Sequence, residues 1–277
     1  MYKLAAALAV LALPVTALPG AAQARPAAAA PACSSSANPA LAQKLAADIA
    51  TALKGRQGTA AVSLRHPGAG LSCTLNAGRQ FQSASVIKVT ILAAVLRKAQ
   101  DAGRGLTAQE KQWATAMITK SDNDSATALW DSVTAAGMKK FMTMAGMRGT
   151  TIDSSGWWGK THITATDQMA MLTLLTTNNS VLTAASRAYV LDLMGKVVAG
   201  QRWGTPAGAP AGTTVRVKNG WVDRGDGVGW RINSLGVFSG KGKDYQIVVL
   251  TEGNSSEGYG HTTIEGVAKA IHKDLDS

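Results

Sequence analysis

Three short groups of residues in this chain could act together in chemistry. Ser85-Val86-Ile87-Lys88 is its only Ser-x-x-Lys. It stands at the start of an apolar stretch, Val86 to Ala102, whose spacing predicts a helix. Lys88 then falls one turn along the same face as Ser85, and the free amides of the helix N-terminus face the serine oxygen. A serine hydroxyl is a weak nucleophile until a base takes its proton. A lysine in a confined, positively biased site gives up its own proton more readily and can serve as that base. The same tetrapeptide also fits a capping serine followed by a solvated lysine. The second group, Ser121-Asp122-Asn123, lies at the junction of two predicted helices, and the third, Lys218-Asn219-Gly220, lies inside a predicted strand. Taken singly these too have ordinary readings, since Asp and Asn cap helices and a lysine on an edge strand faces water.

The order Ser-x-x-Lys, Ser-Asp-Asn, Lys-x-Gly resembles that of the class A β-lactamases and the related penicillin-binding D,D-peptidases. The resemblance runs from about Pro39 to the C-terminus. It implies a serine hydrolase in which Ser85 is acylated, Lys88 is its basic partner, and Ser121 relays a proton to the leaving nitrogen. Asn123 would hold a substrate amide while contacting Lys88. Lys218 would supply positive charge for the relay and for a substrate carboxylate, with Asn219 and Gly220 beside it in substrate binding. The implied oxyanion hole is a pair of backbone amides, those of Ser85 and Trp221, donors of a kind worth ~3 kcal/mol each in the transition state. The implied substrate is a β-lactam or another small acyl compound, with a D-Ala-D-Ala peptide or an ester as the alternative. A binding module that senses wall fragments or β-lactams without turnover is the competing function.

The chain also departs from the family pattern. Asn219 stands where a hydroxyl is usual, and the segment between Ser85 and Ser121 is short, which opens the cleft. Thr151 to Trp158 resembles the start of the family's omega loop, where a glutamate activates the deacylating water, but Gly156 occupies that place. No glutamate occurs between Glu110 and Glu252. Asp153 and His162 are the nearest titratable substitutes; Asp153 equally fits a loop-shaping role and His162 an ordinary surface position. Trp157, Trp158, Trp203, Trp221 and Trp230 fall in segments placed around the cleft, where they could stack on a sugar ring or acyl group or simply pack the core.

Several elements must position these residues. Leu41, Leu45, Ile49 and Leu53 recur every four residues from Pro39 to Lys54, predicting a helix closed by Gly55 and Gly58. Ala60 to Leu64 and Leu71 to Leu75, parted by Pro67-Gly68, read as a hairpin. Further helices are predicted at Ala108 to Lys120, Asp124 to Thr134, Thr166 to Thr176 and Leu182 to Val197, with no convincing strand among them. Strands follow at Thr214 to Val222, Trp230 to Phe238 and Tyr245 to Thr251, then a helix from Thr263 to Leu275. The fold class is therefore α+β: one antiparallel sheet from both chain ends, flanked by helices, with an all-helical lobe beside it. The expected division is a signal peptide over 1–24, a linker over 25–38 and a catalytic domain over 39–277. In that domain the α/β lobe takes 39–84 and 206–277, and the helical lobe 85–205.

The chain of 277 residues is long enough to bury a full core without metal or dense disulfides, and neither a metal nor a cofactor is expected. Lys3, the apolar run Leu4 to Leu18 and Ala22-Gln23-Ala24 form a secretory signal. The run is shorter than the ~20 residues a membrane-spanning helix needs. The expected product is a secreted or wall-associated monomer without stable membrane insertion. Two cysteines in an exported chain, Cys33 and Cys73, favour a disulfide over two separate thiols. The net charge of +11 suits anionic surroundings such as wall polymers. No zinc-finger spacing or RNA-binding signature points to nucleic acid. The expected partner is a small-molecule or peptidoglycan-derived acyl substrate.

Overall fold

The computed structural model describes residues 30–240 and 242–276; the leader expected over 1–24 lies outside them. The main sheet has six antiparallel strands in the order β1-β3-β2-β8-β7-β6. These are β1 (Ala32–Ser35), β2 (Thr59–His66), β3 (Leu71–Leu75), β6 (Thr214–Val222), β7 (Trp230–Ser239) and β8 (Tyr245–Asn254). The sheet is thus assembled from both chain ends, as the sequence predicts. Helix α1 (Pro39–Leu53) begins at Asn38, whose side chain accepts the Leu41 amide at 3.0 Å, with Pro39 in the first turn. Its buried Ala42, Leu45 and Ile49 pack on one sheet face with α7 (Glu257–Asp276).

The opposite sheet face meets a larger core that includes α2 (Lys88–Asp101), α3 (Ala108–Thr119), α4 (Asn123–Met144), α5 (Ala165–Thr176) and α6 (Ala184–Gly195). A two-stranded ribbon joins β4 (Phe81–Gln82) to β5 (His162–Ile163). Among the described residues no helix is long and apolar enough to cross a membrane.

Three boundaries differ from expectation. The stretch expected to be an unstructured linker contains β1, whose Cys33 lies opposite Cys73 on β3 and is joined to it by a disulfide. Four residues are too few to display a period, and only the partner strand defines them. A second helical stretch, to Met144, follows the predicted end at Thr134: the backbone leaves the helix there (φ 69°), and the Thr134 hydroxyl accepts the Gly137 amide at 3.3 Å to start it. Helix α7 starts at Glu257, six residues before the predicted Thr263. Gly258 and Gly260 weaken the local helix signal, yet Gly260 is required, because a Cβ there would lie 2.3 Å from the Ile232 side chain.

Candidate active site

Ser85 sits in a 3₁₀ turn, Ala84–Ile87, that leads directly into α2. The turn is held from several sides. Ala84 takes a left-handed φ of 45°, a conformation costly for a residue with a Cβ. The Ser83 amide donates to the Thr161 carbonyl at 2.8 Å, and the Asn233 side chain on β7 donates to the carbonyls of Gln82 (2.9 Å) and Ser83 (3.1 Å). On the open edge of the sheet, β6 passes so close that a Cβ on Gly220 would lie 2.7 Å from the Ser85 nitrogen and 2.8 Å from that of Val86. Only glycine permits this approach, which sets the start of the Ser85 turn beside the segment ending in Trp221.

Lys88 is fully buried. Its amine donates to the Ser121 carbonyl at 2.6 Å, to the Ser121 hydroxyl at 3.2 Å and to Asn123 Oδ1 at 2.8 Å. The indole of Trp158 lies 4.8 Å from the same amine. Burial brings the Lys88 pKa down to about 7, opposed by the negative charge of Asp122. Lys218, also fully buried, donates to the Ser121 hydroxyl at 3.1 Å and to the Asn219 carbonyl at 2.8 Å. Burial holds its pKa well below that of a free lysine, and the charge of Lys88 pushes the same way. Ser121 itself is held at a left-handed φ of 59°, with its hydroxyl between the two amines. Asp122 caps α4 by accepting the Ser125 amide at 2.7 Å, and the Ser125 side chain together with that amide lowers its pKa. The structure therefore brings Lys88, Ser121, Asn123 and Lys218 into one network. The half-buried Ser85 makes no side-chain hydrogen bond to it among the described residues.

Asn219 follows Lys218 on β6. Its amide group donates to the carbonyls of Gln201 (2.9 Å) and Trp203 (2.8 Å). Both donors are occupied in tying down the segment before β6, leaving none for a substrate carboxylate. Alternation along β6 explains this, since Lys218 and Asn219 project to opposite sides of the strand.

In the omega-like segment, Gly156 is exposed at φ +73°, with nothing within 4 Å of where a Cβ would stand. Asp153 accepts the Ser155 amide at 3.0 Å and its hydroxyl, bonds that lower the Asp153 pKa and shape the turn. His162 pairs with Gln82 in the small ribbon. Sequence reasoning put Trp158 near the cleft without seeing its role. The buried indole donates to Thr127 on α4 at 3.1 Å and faces Lys88. Trp157 is 49% exposed, with the Arg224 guanidinium 4.6 Å from its ring. Arg224 also donates to the Gly159 carbonyl at 2.7 Å, binding the loop after β6 to this segment. Trp203 stacks on His261 at 3.7 Å and meets Trp221 edge-on at 5.8 Å. Asn233 was missed altogether; only its pairing position on β7 reveals it.

A sequence model of the "Beta-lactamase enzyme family" matches residues 43–110 and 100–275. Among solved structures, a β-lactamase from Xanthomonas campestris superposes with a TM-score of 0.70 at 19% identity, covering 83% of this chain and 97% of its own. A class A β-lactamase representative from Bacteroides cellulosilyticus gives 0.73 at 17% identity, covering 84% and 98%. The structure of PBP-A gives 0.72 at 19% identity, covering 84% and 96%. A mutant of PBP-A, solved as an acyl-enzyme complex with penicillin G, is similar to the same degree, 0.72 at 20% identity with 84% and 96% covered. No curated protein matches the chain significantly.

Proposed function

The chain belongs to the β-lactamase enzyme family, and on that premise we propose that Ser85 is acylated by β-lactams or related amides and esters. The observation that carries the reading is Lys88, a buried amine with a pKa brought to about 7, one turn from the serine and bonded to Ser121. A neutral Lys88 takes the Ser85 proton as Oγ attacks the acyl carbon. The oxygen charge that develops falls to the backbone amides of Ser85 and Trp221, which Gly220 allows to approach each other. The C–N bond then breaks, and the proton passes from Lys88 through the Ser121 hydroxyl to the leaving nitrogen, with Lys218 lowering the cost of negative charge along that path. Ser85 makes no hydrogen bond to Lys88 before substrate arrives. Such catalytic bonds commonly tighten only in the substrate complex.

Hydrolysis of the acyl-enzyme requires a water and a base. In this chain Gly156 offers no carboxylate, Asp153 is bound into its own turn, and an indole faces Lys88. The reading is therefore rapid acylation and slow release. Losing a positioned base costs about 10² to 10⁴ in rate. This favours a penicillin-binding peptidase or esterase, or a stable penicillin binder, as the second reading over an efficient β-lactamase. A leader cleaved before Arg25, export, and a catalytic domain over 39–277 with its cleft between two lobes complete the proposal; the disulfide between Cys33 and Cys73 fits an oxidising compartment. Intact-protein mass spectrometry after brief exposure to penicillin G tests the chemistry. A penicilloyl adduct should form, persist well beyond its time of formation, and be absent from Ser85→Ala. An adduct on Ser85→Ala would remove the serine from the mechanism, and return to free mass at the pace of formation would restore an efficient deacylating base.

A further inference from the structure

The sheet face that carries Lys218 continues one pleat further along β6. There Arg216 stands opposite Val237, Val237 opposite Gln246, and Gln246 opposite Arg65. This row crosses four strands and has an arginine at each end. Strand alternation puts Arg216 on the same side as Lys218. The end of α5 and the first turns of α6 stand over the row and add Arg187. Between helices and sheet lies a cavity of about 590 Å³, lined by all three arginines and by Leu175, Leu191 and Val237. Its volume is that of a small-molecule site, and it shares no lining residue with the network around Ser85.

Each guanidinium is held by neutral acceptors. Arg187 donates to the Leu182 carbonyl at 2.7 Å and to Asn178 at 2.9 Å, Arg216 to the Ser239 hydroxyl at 2.8 Å, and Arg65 to Gln246 at 3.5 Å. None of the three forms an ion pair among the described residues, and Asp244 is the one acid lining the cavity. At the rim, His66 keeps a buried Nδ1 without a hydrogen-bond partner. A half-buried guanidinium pinned by neutral groups keeps its full charge, and little further freedom is lost when an anion docks. Three of them around one partly apolar cavity exceed what its single carboxylate can balance.

We propose that this cavity binds a small dianion, carboxylate or phosphate, carried on an apolar body. The test is isothermal titration of the protein with isophthalate and with phenyl phosphate at low salt, thermal melts confirming that each variant is folded. One-site saturable binding of at least one probe is expected, and the tighter probe names the anion. Arg65→Gln, Arg187→Gln and Arg216→Gln should each weaken it about tenfold or more, as loss of a charge-assisted bond requires. Ala188→Trp keeps every arginine but fills the cavity mouth and should abolish binding. Lys111→Gln, an equal loss of charge on exposed α3 surface, should leave it unchanged. Failure of both probes to saturate overturns the proposal. So does binding that survives Ala188→Trp, or that Lys111→Gln weakens as much as the arginine changes.

Discussion

Ser121 stands between two buried amines, and that crowding governs what either lysine can do. Two ammonium groups sharing one hydroxyl, out of water, disfavour being charged together, so the first proton to leave makes the second easier to keep. Lys88, at about 7, changes its state near neutrality. If its neutral form is the base, single-turnover acylation by a chromogenic cephalosporin should rise with pH through about 7 and then level. Lys88→Ala should slow it by roughly a hundredfold or more. A rate indifferent to pH across that range would assign the base elsewhere. The same shift has a consequence for stability. The unfolded chain holds the Lys88 proton up to its ordinary value of 10.5, while the folded chain releases it near 7. Across that window the unfolded state binds more protons, so this residue's burial penalty is full below it and fades as pH rises.

Helix α3 enters the fold through a capping box: Thr107 accepts the Glu110 amide at 3.1 Å while the Glu110 carboxylate accepts the Thr107 amide at 2.8 Å. Arg104 donates to both carboxylate oxygens and, as the largest influence, draws the Glu110 pKa from 4.5 to about 2. Thr107→Ala should reduce the unfolding free energy by about 1 kcal/mol in urea titration. A carboxylate depressed in the folded state contributes stability that is present above about 4.5 and lost as pH falls toward about 2. Glu110→Gln should lessen the loss of stability across that interval, and an unaltered pH profile would mean that Arg104 does not bind Glu110 in solution. Apart from the second half of α4 and the first turns of α7, this helix and the other long helices and strands were legible as apolar runs bounded by turn and capping residues. The ribbon of β4 and β5 was not, since two-residue strands contain no period. The site was legible by residue type, in Ser85, Lys88, Ser121 and Lys218. It was illegible wherever side-chain direction decided the matter: Asn219 turns toward Gln201 and Trp203, and Trp158 turns inward to Lys88, by geometry that no tetrapeptide encodes.

At the scale of the whole molecule, a sheet made from both chain ends leaves β1 at its margin, paired among the described residues only to β3. Strand β1 has four residues and an exposed, half-buried alternation, too little apolar burial to hold an edge strand in place. A covalent bond reinforces its ladder to β3. The bond from Cys33 to Cys73 spans 40 residues of sequence, a segment that contains α1 and β2 and therefore much of one core. Closing a loop of that size restricts the unfolded chain by roughly 4 kcal/mol on the entropy model. At about 2 to 4 °C per kcal/mol for a chain of this size, the double change Cys33→Ala and Cys73→Ala should lower the midpoint of thermal unfolding by about ten degrees. Reductant should do the same to the unaltered protein and nothing further to the variant. Cys73 is buried against the α1 side of the sheet, so the loss should reach the whole cooperative unit. Hydrogen exchange should accelerate in α1 and β2 together with β1. A midpoint unmoved by the substitutions, with faster exchange confined to residues 32–35 and their partners on β3, would instead make β1 an appendage that opens without the rest of the fold.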